Sequence, residues 1–443
     1  MSQATPAPVL RPLPQVADIR RAWVGPPRRS ALPPHGSDFG VQHEDTEAFR
    51  QRAARECLDT LGMLRSYRAP QDVETWLIPA RSEQRLLAQV RALLMLGPPA
   101  LTLSLKLALD PDVPDPDRVF ANLFLLGCTS GVEALSKAVP IFEAAQMRDR
   151  GEAAAAVEAF CLSPSQALTD ALSPLLTHAM PQVRAAAVRV LAYREALSTP
   201  AWSQAMRDAD PRVVAAALGG SVNALDRDQC AHMLQAWYGC DQEPLARAAL
   251  RAGLSLRLDE ARVAARAIAA KSPAWADSLY LLALCGQAED ASLIEAAFQL
   301  HWPSAVKAAA HAGWLGLGAR MVGWCRAHPQ QEPLCKAVHQ ALRILVGLPG
   351  EIAPDAEAMT QTWLSLAADK DVEIRWRGGQ AWHAGAALQA LRDGAFSRVQ
   401  RQDLYLELQM MSPGLRLPRF SAFDFIGVQW QSLEAIAASL FTH

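Results

Sequence analysis

Across residues 180–345 short, alanine-rich apolar runs recur, each opened by a proline. Pro181, Pro211, Pro244, Pro273, Pro303 and Pro333 follow one another at intervals of 30, 33, 29, 30 and 30 residues. Within a run the apolar positions keep helical spacing, and no alternating strand pattern extends beyond a few residues. A proline suits the first helical position, where its missing N–H has no partner to lose and its fixed φ already fits a helix. Four to six residues on, the side chains are small: Ala185, Ala186 and Ala187, then Ala215, Ala216 and Ala217, later Ala308, Ala309 and Ala310. Small residues let neighbouring helices approach closely. A second apolar run closes each unit, over residues 202–206, 233–237, 263–268 and 293–298. Two helices of roughly ten to twelve residues with short turns fill such a period. A repeat near thirty residues built this way predicts an all-α chain, an α-solenoid of stacked two-helix units.

The pattern divides the rest of the chain around this array. Residues 1–42 hold eight prolines and the basic pairs Arg20-Arg21 and Arg28-Arg29, the composition of a loose or draped arm. Residues 43–110 read as a helical cap. There Phe49, Ala53, Cys57, Leu61 and Leu64 share one predicted face, and a second helix over 81–97 has Ser82 as its N-cap and Gly97 as its stop. The array itself is predicted over 111–346, with degenerate units opening at Pro116 and Gly151. Residues 347–443 begin with a loop, GLPGEIAP, resume as a helix pair that includes Gly378-Gly379, and end in a segment that starts extended and finishes as a capping helix.

Four runs, RSEQRLLAQVRALLMLG, PDRVFANLFLLG, PQVRAAAVRVL and ALQALRDGAFSRVQRQDLYLELQMMSPGLRLPRF, together resemble an uncharacterised family of bacterial HEAT-repeat proteins. Members of that family are often encoded beside type VI secretion genes. The resemblance covers roughly residues 75–430, and the stretch before it departs from the family. It implies HEAT-like two-helix repeats and an accessory or scaffolding role near a secretion machine. It supplies no catalytic or binding residues.

Charge narrows the partners. The formal net charge is −2, so no global field selects nucleic acid or an acidic membrane surface. Eight cysteines stand singly, without a CxxC, as expected of small hydrophobes in a reducing cytoplasm. The longest uncharged apolar neighbourhood, near residues 92–105, is too short to span a bilayer and is broken by Gly97, Pro98 and Pro99.

Candidate chemistry is sparse. Cys325, His328, Cys335 and His339 offer thiolate and imidazole, the ligands zinc prefers, with His339 one helical turn beyond Cys335. Cys325 ends one predicted helix and Cys335 begins the next, both in ordinary repeat positions where buried single cysteines are usually structural, so no metal or cofactor is assigned. Cys230, His232 and Cys240 make a poorer set, because neighbours two apart on a helix splay. The repeated His-Glu pairs of di-iron enzymes built on this architecture are missing, since only His43-Glu44 occurs. Arg262 with Arg266, and Arg320 with Trp324, are one-turn pairs on second helices that suggest a small basic and aromatic groove. Twelve tryptophans are spread along the chain; Trp202, Trp237 and Trp275 are predicted core, while Trp302, Trp314 and Trp324 fall in one repeat. The expectation is a non-enzymatic scaffold or adaptor that binds another protein on a concave face or at the ends of the array. A HEAT-fold enzyme or nucleic-acid binder using the Arg/Trp groove is the alternative.

Overall fold

The computed structural model describes residues 46–68, 78–109, 112–129, 132–220, 225–347, 356–392, 396–412 and 417–441. The arm predicted over 1–42 and most of the loop over 347–354 lie outside them. The described residues are all-α, with 22 α-helices and one two-stranded hairpin of two residues a strand. They divide into two compact units, one reaching to Leu197 and including Phe423–Gln431, the other comprising Ser198–Ala422 and Ser432–His443.

In the first unit, α1 (Thr46–Arg68), α2 (Ile78–Leu96), α3 (Pro98–Leu107) and α4 (Pro116–Gly127) precede α5 (Val132–Arg148), α6 (Arg150–Leu162), the short α7 (Leu168–Leu172) and α8 (Pro181–Tyr193). α4 is buried almost throughout and packs on α1 and α6. Aromatic stacking fixes the middle: Phe120 on Phe124 at 5.4 Å and Phe142 on Phe160 at 5.0 Å between ring centroids. Residues 423–426, which the pattern places in a C-terminal cap, are pinned in this unit. Phe425 meets Phe124 at 5.6 Å, the Tyr193 hydroxyl donates to Asp424 at 2.6 Å, and the Ile426 N–H donates to Glu83 at 2.8 Å. Glu83 is 1% exposed, and its charge is balanced by Arg68, 3% exposed, at 3.3 Å. A buried carboxylate needs such a partner. Here it holds a chain segment more than three hundred residues away in sequence.

The second unit carries the helix pairs. α9 (Thr199–Ala205) precedes α10 (Pro211–Leu218) and α11 (Arg227–Gln235); then come α12 (Glu243–Ser255) with α13 (Asp259–Lys271), and α14 (Ser278–Cys285) with α15 (Ala291–Leu300). α16 (Trp302–Ala312) is paired with α17 (Leu315–Ala327), and α18 (Glu332–Val346) with α19 (Ala356–Ala367). First helices pack on first helices, in the order α10, α12, α14, α16, α18. Second helices do the same in the order α13, α15, α17, α19. Small residues make the approach possible. A methyl group added at Gly253 would lie 2.6 Å from the Ala261 methyl, and one at Gly318 would lie 2.2 Å from the Trp363 ring, so α12 meets α13 and α17 meets α19 at glycine. The unit continues through β1 (Trp376–Arg377), β2 (Gln380–Ala381), α20 (Ala384–Arg392) and α21 (Arg398–Met411), and α21 packs back on α12 and α14. α22 (Ile426–Phe441) begins among the residues of the first unit.

Several expectations need correction. Only Pro181 and Pro211 occupy the first helical position, whereas Pro244, Pro303 and Pro333 take the second, where the N–H is still an orphan. Pro273 sits in a turn ahead of α14, because Ala276 and Asp277 adopt φ of 54° and 51° and delay the helix to Ser278. Ser82 lies inside α2, which starts four residues before it. On α1 the buried hydrophobic positions are Ala54, Leu58, Leu61 and Leu64, and Phe49 is exposed. Of the predicted tryptophan core, Trp202 is buried and donates to the Ala217 carbonyl at 3.1 Å, while Trp237 and Trp275 are half-buried. Gly378 and Gly379 are in no helix. With φ of 57° and 78° they make the tight turn between β1 and β2, a conformation that glycine adopts without a steric penalty.

Candidate functional site

Two features of the second unit carry convergent polar groups. The first is a cavity of about 140 Å³ beside the turn from α12 to α13. α12 closes with the Leu258 N–H on the Gly253 carbonyl at 2.9 Å, which leaves Arg257 at φ 57°. This closure puts Arg257 in the cavity wall with Asp259 and Arg262 from the first turn of α13. The end of α14 adds Cys285 and Gln287, and Leu254, Leu258 and Met410 supply the apolar side.

The Arg257 guanidinium donates to the Ser412 carbonyl, and its pKa is lowered by burial and by the nearby charge of Arg227. Arg262 is half-buried. One turn along, Arg266 is committed to Asp290 at 2.5 Å and to Glu289 at 3.5 Å. Burial pushes the Cys285 thiol up to about 12, against the lowering effect of Arg262, so at neutral pH it is a protonated wall group and no nucleophile.

The second feature is a buried ion network at the β1–β2 hairpin. Glu407 of α21 is 0% exposed and bridges Arg375, 6% exposed, at 2.8 Å and Arg377, 7% exposed, at 2.5 Å. The same guanidinium groups face the last three carbonyls of α16. Arg375 donates to Ala312 at 2.6 Å and His311 at 2.9 Å, and Arg377 donates to Ala310 at 3.1 Å and His311 at 2.9 Å. A helix C-terminus presents orphan carbonyls and negative potential, so cations there satisfy both. The turn of the hairpin does the same for α18: the N–H groups of Gly378 and Gly379 donate to Ile344 and Leu345 at 2.8 and 3.2 Å. The hairpin therefore seals the ends of two first helices, with Glu407 neutralising the charge it brings in.

Around this seal, His311 meets the Tyr280 ring edge-on at 5.0 Å, and the Lys307 ammonium lies 3.8 Å from the centroid of that ring. Burial first, then the charges of Arg377, Lys307 and Arg375, hold the His311 imidazole well below the usual histidine range. Burial raises the Asp403 carboxyl, with the Tyr280 hydroxyl and Lys307 opposing it. The arrangement is one of capping and compensation.

The residues singled out by sequence are distributed differently. Cys325 and Cys335 are buried, and His328 is hydrogen-bonded to the Trp324 carbonyl at 2.9 Å. His339 has its Nε2 buried without a partner, and burial lowers its pKa. Among the described residues no three His, Cys, Asp or Glu side chains are grouped to hold a metal, which includes Cys230, His232 and Cys240. Trp324 packs between Phe298 at 5.8 Å and His328 at 4.8 Å, with the Arg320 guanidinium over its ring at 5.9 Å, so this pair is a local stack. Of the four groove candidates, Arg262 alone lines the cavity. Sequence reasoning missed Arg257, Arg375, Arg377 and Glu407. The signal for the hairpin was present in RWRGGQAW, where a two-glycine turn separates two short runs.

No family model matches the chain, and no curated protein matches it. Among solved structures, Escherichia coli YibA is similar at 14% identity with a TM-score of 0.31, over 68% of this chain and 99% of that one. An engineered protein is similar at 15% identity with a TM-score of 0.29, over 84% of this chain and 97% of its own. Likeness of this degree carries no argument about function. No single described helix is long and apolar enough to cross a membrane.

Proposed function

We propose that the chain is an α-solenoid of HEAT-like repeats that serves as a protein-binding scaffold or adaptor, acting by recognition without bond-making. The observation that supports this reading most is the two-row packing, in which α10, α12, α14, α16 and α18 touch in sequence and α13, α15, α17 and α19 touch in parallel order. An array of that kind spends its apolar residues on neighbouring units and leaves a long run of helix surface for a partner. The polar clusters fit the same reading, because the network at Glu407 caps helices and the Cys285 thiol is held protonated. The family resemblance adds an accessory role in type VI secretion, and the single, scattered cysteines fit a reducing cytoplasm. Affinity purification of the tagged full chain from its native host, with quantitative mass spectrometry, tests this. The reading expects one protein retained in stoichiometric amount. Retention of none, together with turnover of a small molecule by the purified chain, would overturn it.

A further inference from the structure

We infer that the cavity beside the α12–α13 turn receives the carboxylate of one acidic side chain, Glu or Asp, from a partner protein. This rests on the scaffold reading and names the chemistry of one contact within it.

Three observations lead there. Among the described residues Arg262 has no carboxylate partner, although it stands half-buried in the cavity wall; Arg266, on the same helix, is held by Asp290 and Glu289. A guanidinium in a partly desolvated wall is stabilised by a planar oxyanion, to which it donates two parallel N–H bonds. Next comes the charge count. Arg257 and Arg262 line the wall with a single carboxylate, Asp259, and the charge of Arg227 acts on Arg257, so the lining favours an anion. Asp259 in the same wall repels a phosphate dianion more strongly than a carboxylate. Last is size and lining. About 140 Å³ is well below the several hundred Å³ of pockets that hold nucleotides and cofactors, and Leu254, Leu258 and Met410 give the methylenes of a Glu side chain an apolar wall. The Gln287 amide, in the same wall, donates to the Cys285 carbonyl at 3.1 Å and carries a second N–H for a carboxylate oxygen.

A random peptide-display library selected on the full chain tests the assignment. Selected peptides are resynthesised with Glu or Asp replaced by Gln or Asn, and with phosphoserine in its place. Their affinities are measured by fluorescence anisotropy for the wild type, Arg262→Gln and Arg262→Lys, each variant checked by circular dichroism melting. The expected result is a shared acidic position whose neutralisation weakens binding on the order of tenfold to a hundredfold, the worth of a charge-assisted hydrogen bond. Arg262→Gln should abolish that discrimination and Arg262→Lys should keep part of it. Peptides bound without acidic preference, a preference for phosphoserine over Glu, or full discrimination in Arg262→Gln would overturn the pocket and leave the scaffold standing. A library from which the chain retains nothing would count against both.

Discussion

Replacing Glu407 with alanine should be among the most damaging single changes in the second unit. Glu407 is 0% exposed and is bonded to two guanidinium groups at 2.8 and 2.5 Å. Its removal leaves Arg375 and Arg377 their carbonyl acceptors on Ala310, His311 and Ala312, so hydrogen bonding largely survives. What is lost is two charge-assisted bonds, worth about 1.5–3 kcal/mol each, and the carboxylate that bridges two buried positive groups. The sum agrees with the roughly 3–5 kcal/mol seen when one member of a buried ion pair is deleted. Glu407→Gln keeps one acceptor and should cost about half as much. A third variant separates charge compensation from capping. Exchange of a buried triad for apolar residues is often neutral, yet Arg375→Met/Arg377→Met/Glu407→Leu should stay destabilised here, because each α16 carbonyl left without a donor costs about 1–3 kcal/mol. Urea denaturation followed by tryptophan fluorescence gives the free energies, and hydrogen exchange read by mass spectrometry should show α16 and α21 losing protection together. Glu407→Ala within about 0.5 kcal/mol of wild type, the range of ordinary surface changes, would refute the reasoning.

Three further outcomes follow from the packing and the charges. Gly318→Ala should destabilise by about 1–3 kcal/mol in urea denaturation, because its methyl would meet the Trp363 ring at 2.2 Å and Leu345 at 2.8 Å. His311 has its folded pKa depressed below the unfolded 6.5, so the unfolded chain binds the extra proton: stability is complete above pH 6.5 and falls as pH drops below it, by up to about 1.4 kcal/mol per pH unit. Urea midpoints measured from pH 7.5 to 5 should show that slope, and His311→Asn should flatten it. In the first unit Arg194→Met should lower stability by about 1–3 kcal/mol, since Arg194 donates to the Phe160, Ser163 and Ser165 carbonyls at the end of α6; chemical denaturation of the variant gives the value.

The helix pairs were legible because their cause is local. An N-cap acid such as Asp210, a proline at the start and alanines one turn on act within a single helix, and the 30-residue spacing reports them. What escaped was everything that depends on a distant partner. The period-two burial of Arg375 and Arg377 around Trp376 is invisible in isolation, because an arginine in a short run reads as a surface residue until a buried Glu407 and three helix carbonyls are known to face it. Likewise Arg262 and Arg266 look equivalent by spacing, and only the position of Asp290 at the start of α15 tells them apart. The pinning of residues 423–426 by Glu83 and Tyr193 joins segments that no periodicity links.

The scaffold reading meets its most direct test in size-exclusion chromatography with light scattering, run on the purified chain mixed with the protein it retains from its host. A complex of fixed stoichiometry, formed without consumption of any small molecule, is the expected result. Two species eluting unchanged at micromolar concentration would contradict it.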